Sequence, residues 1–370
     1  MKFTIDQEIF SGLLQQHLPV IPPRSALPIL NSIRWELGKG RLKIHSTDLE
    51  ISLITESDVE SEGEGSVAVP AKKISEIVHE LPNEPVSVEI EDNFRVKIRG
   101  VSGVYQVAGS DSADFPPILG EGMEAKVAMS GEKFKRMINR TTFAVSRDDM
   151  RPTLCGVFFQ VLPDDIRMVA TDGHRLAKLV DNSYNGEGTA YEAIIPVKAF
   201  HLAVKTIGDD EEVHISASKN YLRLEMPNSS LYSRLIEGKY PSYENVIPQE
   251  NPNVLTADVE ALTSAVRRVA IFSNSLTRQV KFSLTADKII LTAEDVETGG
   301  EAEEEISVDY QGEEMLIGYN ANYVMDALRK IDTEEVKFLV GTKDSASIVE
   351  PTEQASDEEF MMLLMPVRLQ

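Results

Sequence analysis

A strand that closes on an acidic turn occurs three times in this chain at nearly one spacing. The copies are residues 42–50 (LKIHSTDLE), 166–174 (IRMVATDGH) and 289–297 (IILTAEDVE), and their aspartates at 48, 172 and 295 lie 124 and 123 residues apart. Each copy is followed, after a gap, by an apolar residue, a Pro or Gly and an amphipathic helix, at 69–74 (VPAKKI), 195–200 (IPVKAF) and 317–322 (IGYNAN). Matching elements in the same order at a common period mean three tandem copies of one domain. A third of 370 residues is an ordinary size for a single-core domain, so small solenoid repeats are excluded. Boundaries at 1–121, 122–248 and 249–370 follow.

Within the first copy the pattern itself runs twice. A strand at 1–5 and a helix carrying Phe10, Leu13 and Leu14 precede strand-like runs at 30–37, 41–45 and 49–55. A strand at 66–69 and a helix carrying Ile74, Ile77, Val78 and Leu81 precede further strands at 85–90, 93–99 and 102–108. Helix pairs recur around Phe134, Met137, Ile138 and Phe200, Ala203, Val204, Ile207, then around Leu262, Val266, Val269 and Val324, Leu328, Ile331. The expected fold is α+β, with the strands of each half pairing as an antiparallel meander and two helices packed side by side beneath two sheets.

Composition bounds the function. Apolar residues make up 42% and charged residues 26% of the chain, with no low-complexity stretch. The longest uncharged apolar run, 360–367 apart from its flanks, is too short to span a bilayer, and the chain opens directly on a strand, so a cytosolic protein is expected. The lone Cys155 has no internal disulfide partner and reads as a small core residue. A net charge of −23 argues against a uniformly basic nucleic-acid binder, but not against one that confines its cations to a lining.

The helices carry such a grouping. Lys133, Arg136 and Arg140 share one face, as do Lys198, His201 and Lys205, and Lys72, Lys73, Arg267, Arg268, Arg329 and Lys330 lie on the same set of elements. A solvated face explains any one of these helices, while recurrence in three copies favours a common surface. Charge also separates along strands: Arg95, Lys97 and Arg99 alternate in the first copy, and Glu301, Glu303 and Glu305 alternate in the third. Opposite signs would pair if those two edges met, although charge on an edge strand equally discourages association.

The run 170–177 (ATDGHRLA) and the tail 364–369 (LMPVRL) resemble the sliding clamps of the bacterial DNA polymerase III β subunit family. Further likeness lies at 27–30 (LPIL), 69–73 (VPAKK), 114–116 (DFP) and 240–243 (YPSY), covering the whole chain in order. The resemblance implies a head-to-tail homodimer of three-domain chains, a six-domain ring with helices inside and sheets outside that encircles duplex DNA. It implies a non-catalytic processivity factor without cofactor or metal, whose partners are DNA, the replicative polymerase, the clamp loader and repair proteins. Contacts to DNA would be sequence-independent.

By that resemblance Arg24 and Lys198 face DNA, and residues 147–153 form a loop toward the template in which Pro152 and Thr153 stand where some members carry tyrosines, leaving Arg147 and Arg151 as candidates. Lys72, Arg136 and Arg140 join them from the helix faces. A peptide pocket is implied at Thr171, Gly173, His174, Arg175, Leu176, Pro241, Asn245 and Val246, with Ser347 at its rim and Leu363, Met365, Pro366, Val367, Arg368 and Leu369 from the tail. Asn245 replaces a frequent Arg, and Gln370 extends past the usual terminal Leu. The implied dimer joint uses Tyr105 and Val107 on one edge and Ile271 and Phe272 on the other, flanked by Arg95, Lys97, Glu301, Glu303 and Glu305. Two other readings stay open: a peptide-binding scaffold that ignores DNA, and a Mg²⁺ nuclease using Asp148-Asp149 or Asp209-Asp210. No phosphate loop, nucleophile elbow or Cys/His cluster supports an enzyme.

Overall fold

Six times among the described residues a strand leads into a helix and then into three strands. The structure is a computed structural model that describes residues 1–117, 123, 125–186, 190–208, 210–296 and 299–369. Asp209, Glu297, Gln370 and the boundary expected between 121 and 122 lie outside these residues. The helices are α1 (Gln7–His17), α2 (Ala71–His79), α3 (Gly131–Thr141), α4 (Val197–Thr206), α5 (Val259–Val269) and α6 (Ala321–Leu328). Their starts are chemically marked. Asp6 accepts from the backbone of Glu8 and Ile9, Asp258 from that of Ala261, and Asn320 from that of Asn322, while α2 and α4 follow Pro70 and Pro196.

That capping corrects one alignment. Strands Gly65–Pro70, Tyr191–Pro196 and Met315–Asn320 each end one residue before a helix, so Asn320, and not Gly318, is the counterpart of the two prolines. Pairing corrects another. The three strands of a half do form a meander, but the leading strand crosses to the meander of the other half. Lys2–Asp6 pairs with Pro85–Ile90, Phe3 opposite Val88, and Gly65–Pro70 pairs with Ser32–Gly38, Val67 opposite Trp35. The exchange satisfies an otherwise open edge of each meander.

The described residues fall into two compact units. The first, residues 1–136 with 195–236, holds a five-stranded sheet in the order Glu60–Glu62, Lys2–Asp6, Pro85–Ile90, Arg95–Arg99, Val104–Ala108. It also holds an eight-stranded sheet in which Ser229–Arg234 joins Ile51–Asp58, Leu231 opposite Leu53. That step continues one sheet across the first and second repeats. Phe3, Phe10 and Trp35 meet with centroids 5.5–5.9 Å apart, and Ile74 and Val78 of α2 close the same core, which is why α1 and α2 lie side by side.

The second unit, residues 137–194 with 237–370, holds a nine-stranded sheet in which Arg175–Asp181 joins Glu358–Leu364, Leu176 opposite Leu363. Its four-stranded sheet runs Gly300–Ser307, Lys288–Asp295, Gln279–Thr285, Met315–Asn320, and α5 packs on α6. Among the described residues, no helix is long and apolar enough to cross a membrane.

The motif that reveals the repeat is a turn. Thr47 Oγ1 accepts from Leu49 N and donates to Ile51 O, while Asp48 Oδ1 accepts from Glu50 N and Ile51 N. Thr171 and Asp172 make the same four bonds with Gly173, His174 and Arg175. The third residue has φ of 79° at Leu49 and 91° at Gly173, a region that favours glycine.

Two buried polar clusters fasten the units. In the first, His17 Nδ1 lies 2.6 Å from Ser46 Oγ and Nε2 lies 2.9 Å from Thr55 Oγ1. Burial, and the nearby His45, pull the His17 pKa down to about 3. Burial, and the charge of Arg34, pull that of His45 to about 4, its ring packed on Phe115. In the second unit Arg140 turns from the solvated face expected of it. Its guanidinium binds Asp332 and the buried Glu358 and sits 4.8 Å from the Phe360 ring centroid. A carboxylate buried there requires a counter-charge.

Both clusters are testable. The two histidines stay neutral when folded and take up protons near the ordinary value of 6.5 when unfolded, so their contribution is complete above that pH and declines as pH falls toward 4 and 3. The thermal midpoint should drop from pH 7.5 to pH 5, and His17→Gln should flatten that slope. Arg140→Ala should cost about 3 kcal/mol in urea unfolding, with Arg140→Lys recovering only part because an ammonium cannot fork to two carboxylates.

Candidate functional site

Residues 171–174 form the capped turn described above, and the chain's last residues are tied to it. Met365 N donates to His174 O at 2.9 Å, Val367 N donates to Gly318 O at 2.8 Å, and Gln279 Nε2 donates to Arg368 O at 3.1 Å. The tail therefore lies along the free edge of strand Met315–Asn320. Gly318 permits this approach: a Cβ there would stand 2.8 Å from Leu369 Cδ2 and 2.9 Å from Val367 O.

Beside the turn and the tail, several apolar groups face solvent. Met365 is 38% and Val246 55% exposed, and Pro241 and Asn245 are exposed as well. Val246 ends the short turn Tyr243–Val246, which is seated by Tyr240 stacked on Phe158 at 4.7 Å and by Tyr243 Oη donating to Gln160 at 2.9 Å. Burial pushes the Tyr243 phenol up to about 12, so it remains a donor at neutral pH.

Other residues named from the sequence have structural duties. Arg175 binds Asp172 at 3.1 Å, Asp326 at 2.7 Å and the Phe143 carbonyl at 2.7 Å, with its guanidinium 4.6 Å from the Tyr323 ring centroid. It fastens the turn to α6 and is not free to meet a ligand's carboxylate. Ser347 is fully buried, its hydroxyl bonded to Tyr319 Oη, so it does not stand at a rim. Leu176 and Leu363 are buried opposite each other in the nine-stranded sheet. Their side chains back the surface from within. Thr171 and Val367 are half-buried and Gly173, His174 and Arg368 exposed.

Tyr323, Gln279 and Gly318 escaped the sequence reading. Tyr323 stacks on His174 with centroids 6.4 Å apart, yet it precedes Val324 on α6 and carries no periodic signal of its own. Gly318 stood inside the run at 317–322, but with Asn320 as the true counterpart of the prolines nothing in that run marked it as the seat of the tail.

The cationic candidates divide between the units. In the first, Arg24 and Lys72 are exposed, Lys198 Nζ lies 2.5 Å from Asp48 Oδ2 and 3.5 Å from Val20 O, and Arg136 is half-buried on α3. In the second, Arg147 is exposed and Arg151 binds Asp148 at 2.9 Å and the Asp172 carbonyl at 3.1 Å. The Met150 amide and Arg151 hold the Asp148 carboxyl below its usual range. Cys155, half-buried, donates its thiol to the Asp148 carbonyl, and burial pushes that thiol up. Asp148 thus serves its loop. Among the described residues, no group of three or more His, Cys, Asp or Glu is placed to hold a metal ion.

The candidate joint surfaces also assemble. In the first unit Val104–Ala108 is an outer strand, and Tyr105 and Val107 lie opposite Ile98 and Val96 on its core side. Arg95, Lys97 and Arg99 are on the opposite face and one strand in from the edge, with Lys97 paired to Glu91 and Arg99 to Glu89. The expectation that these cations line an edge is therefore corrected. In the second unit Gly300–Ser307 is an outer strand that exposes Glu301, Glu303 and Glu305, the last paired with Lys288. Ile271, 74% exposed, and Phe272, 40% exposed, occupy the turn Ala270–Phe272 packed beside that strand.

Sequence models of the N-terminal, central and C-terminal domains of the DNA polymerase III beta subunit match residues 1–119, 128–242 and 244–368. Beta sliding clamps of Pseudomonas putida and Vibrio cholerae are 30% and 31% identical over 371 residues, and that of Escherichia coli K12 is 31% identical over 373, each covering all of both chains. A sliding clamp from Pseudomonas aeruginosa solved bound to griselimycin superposes over all of both chains with a TM-score of 0.94 at 29% identity, and the clamp from Bacillus subtilis with 0.93 at 25%. With three matching domains in order and relatives aligned from end to end, the chain belongs to the DNA polymerase III beta subunit family, the beta sliding clamps.

Proposed function

We infer that this chain acts as a DNA sliding clamp, a non-catalytic ring that encircles duplex DNA and tethers the replicative polymerase and other replication proteins. The carrying observation is the arithmetic of sheet edges. Sheets of eight and nine strands arise where successive repeats share an edge, and sheets of five and four strands are left with outer strands Val104–Ala108 and Gly300–Ser307. Head-to-tail pairing of two copies would join five strands to four and repeat the nine-stranded pattern. Closed twice, this gives a six-domain ring with domains at 1–121, 122–248 and 249–370.

In that ring Ile271 and Phe272 would meet Tyr105 and Val107. Arg95 and Lys97 would stand two strand spacings, about 10 Å, from Glu301, Glu303 and Glu305, a range suited to steering and not to direct ion pairs. Arg24, Lys72, Lys198, Arg136, Arg147 and Arg151 would supply non-specific contacts to phosphate. Arg140 is left out, its side chain only 12% exposed and held by Asp332 and Glu358, whereas Lys198 and Arg151, at 44% and 45%, keep access to solvent despite Asp48 and Asp148. Retention would be topological, which reconciles a DNA-bound protein with a net charge of −23. The exposed Pro241, Val246, His174 and Met365, with Tyr323 beside them, would receive short apolar peptide segments, the adaptable Met suiting varied partners. A cytoplasmic location fits this role.

Light scattering should give a dimer near twice 41.0 kDa, and Ile271→Ala with Phe272→Ala should give a monomer. A double variant that stays dimeric would overturn the joint. Arg24→Glu with Lys198→Glu should weaken low-salt equilibrium binding to a short linear duplex about tenfold and leave partner-peptide affinity unchanged, whereas Met365→Asp should do the reverse. Loss of both functions in either variant would sink the separation of the two surfaces.

A further inference from the structure

A groove of about 600 Å³ lies beyond the tail, on the side of Leu369. Asn253, Glu313, Glu314, Leu316, Lys343 and Leu369 line it. Its walls are built and not incidental. Asn253 Nδ2 donates to the carbonyls of Val340 and Gly341 at 3.0 Å, and its Oδ1 accepts from Glu313 N at 3.3 Å, so one side chain ties three lining segments together. Leu316 is 45% exposed on the outer strand of the four-stranded sheet.

That strand is half-covered. Gly318 turns its carbonyl outward to Val367 N, and in an antiparallel pair alternate residues turn their backbone groups the same way. Leu316, two residues earlier, therefore turns its N–H and C=O to the same edge, next to Leu369. An apolar side chain, a backbone pair without a partner among the described residues and two carboxylates that outnumber the one cation, Lys343, make a receiver for an extended segment. The tail links this groove to the peptide surface: Met365 to Leu369 spans four residue steps, about 13 Å when extended.

We propose that the groove takes the flank of the same partner peptide that enters the pocket, added as a short strand at Leu316, with an apolar side chain on Leu316 and Leu369 and a basic one against Glu313 and Glu314. The proposal rests on the peptide-pocket reading and extends the recognised segment by about six residues. Partners that share a core motif would then be ranked by their flanks.

The test uses the full-length protein and fluorescence anisotropy. Probes are a labelled Leu-Ala-Leu-Phe peptide and the same peptide extended by Ser-Gly-Val-Leu-Lys-Lys at either end. One extended probe should bind at least tenfold tighter than the short one. Leu316→Asp should remove that gain and leave short-probe affinity unchanged, and Glu313→Gln with Glu314→Gln should reduce it. Equal affinity of all three probes, or equal weakening of short and extended probes by Leu316→Asp, would overturn the groove. Extended binding through Leu316 without short-probe binding would retain the groove and remove the pocket reading; binding of no probe would remove both.

Discussion

An open strand edge is the condition around which this chain is arranged. A meander of three strands leaves backbone donors and acceptors unpaired on both sides, and each half-repeat has the same deficit. The leading strands answer one side by exchange, as where Phe3 sits opposite Val88. Neighbouring repeats answer the other, with Leu231 opposite Leu53 in one unit and Leu176 opposite Leu363 in the other. The compact units therefore follow shared sheets: the second repeat contributes strands to both.

Much of this was legible because periodicity reports which face of an element is buried. The strand Pro85–Ile90 and the helical faces around Phe10, Val78 and Val266 stand where their patterns put them. Periodicity does not report the partner. Nothing in residues 2–6 distinguishes pairing with 85–90 from pairing with 32–38, since either choice buries Phe3 and Ile5. The cationic stripe at 95–99 was read correctly as one face of a strand, and incorrectly as an edge, for the same reason.

The site was legible in outline through family resemblance, and its electrostatics were not. Arg140 and Arg175 look alike in sequence to Arg24, yet two carboxylates hold each of the first pair and Arg24 faces solvent. A charge already satisfied within the protein cannot be told from an available one without coordinates. Ser347 shows the complementary limit: a small polar residue reads as surface until a buried phenol is found to need it. The Thr-Asp turn was more informative than it first appeared, because its four backbone contacts explain why those residue types recur in the first two copies.

Strand exchange also sets a schedule for synthesis. Lys2–Asp6 can pair early only with Glu60–Glu62, its other edge staying open until the chain has grown past residue 90, and the outer edge of Ile51–Asp58, whose inner edge pairs with Arg41–Thr47, must wait for Ser229–Arg234. At ordinary elongation rates that second wait is on the order of ten seconds or longer. Throughout it the first repeat emerges with one sheet edge complete and another bare, a state in which nascent neighbours on the same message could pair with the wrong copy. A protein built from three like domains thus carries a bare edge at residues 51–58 until its second domain is nearly complete.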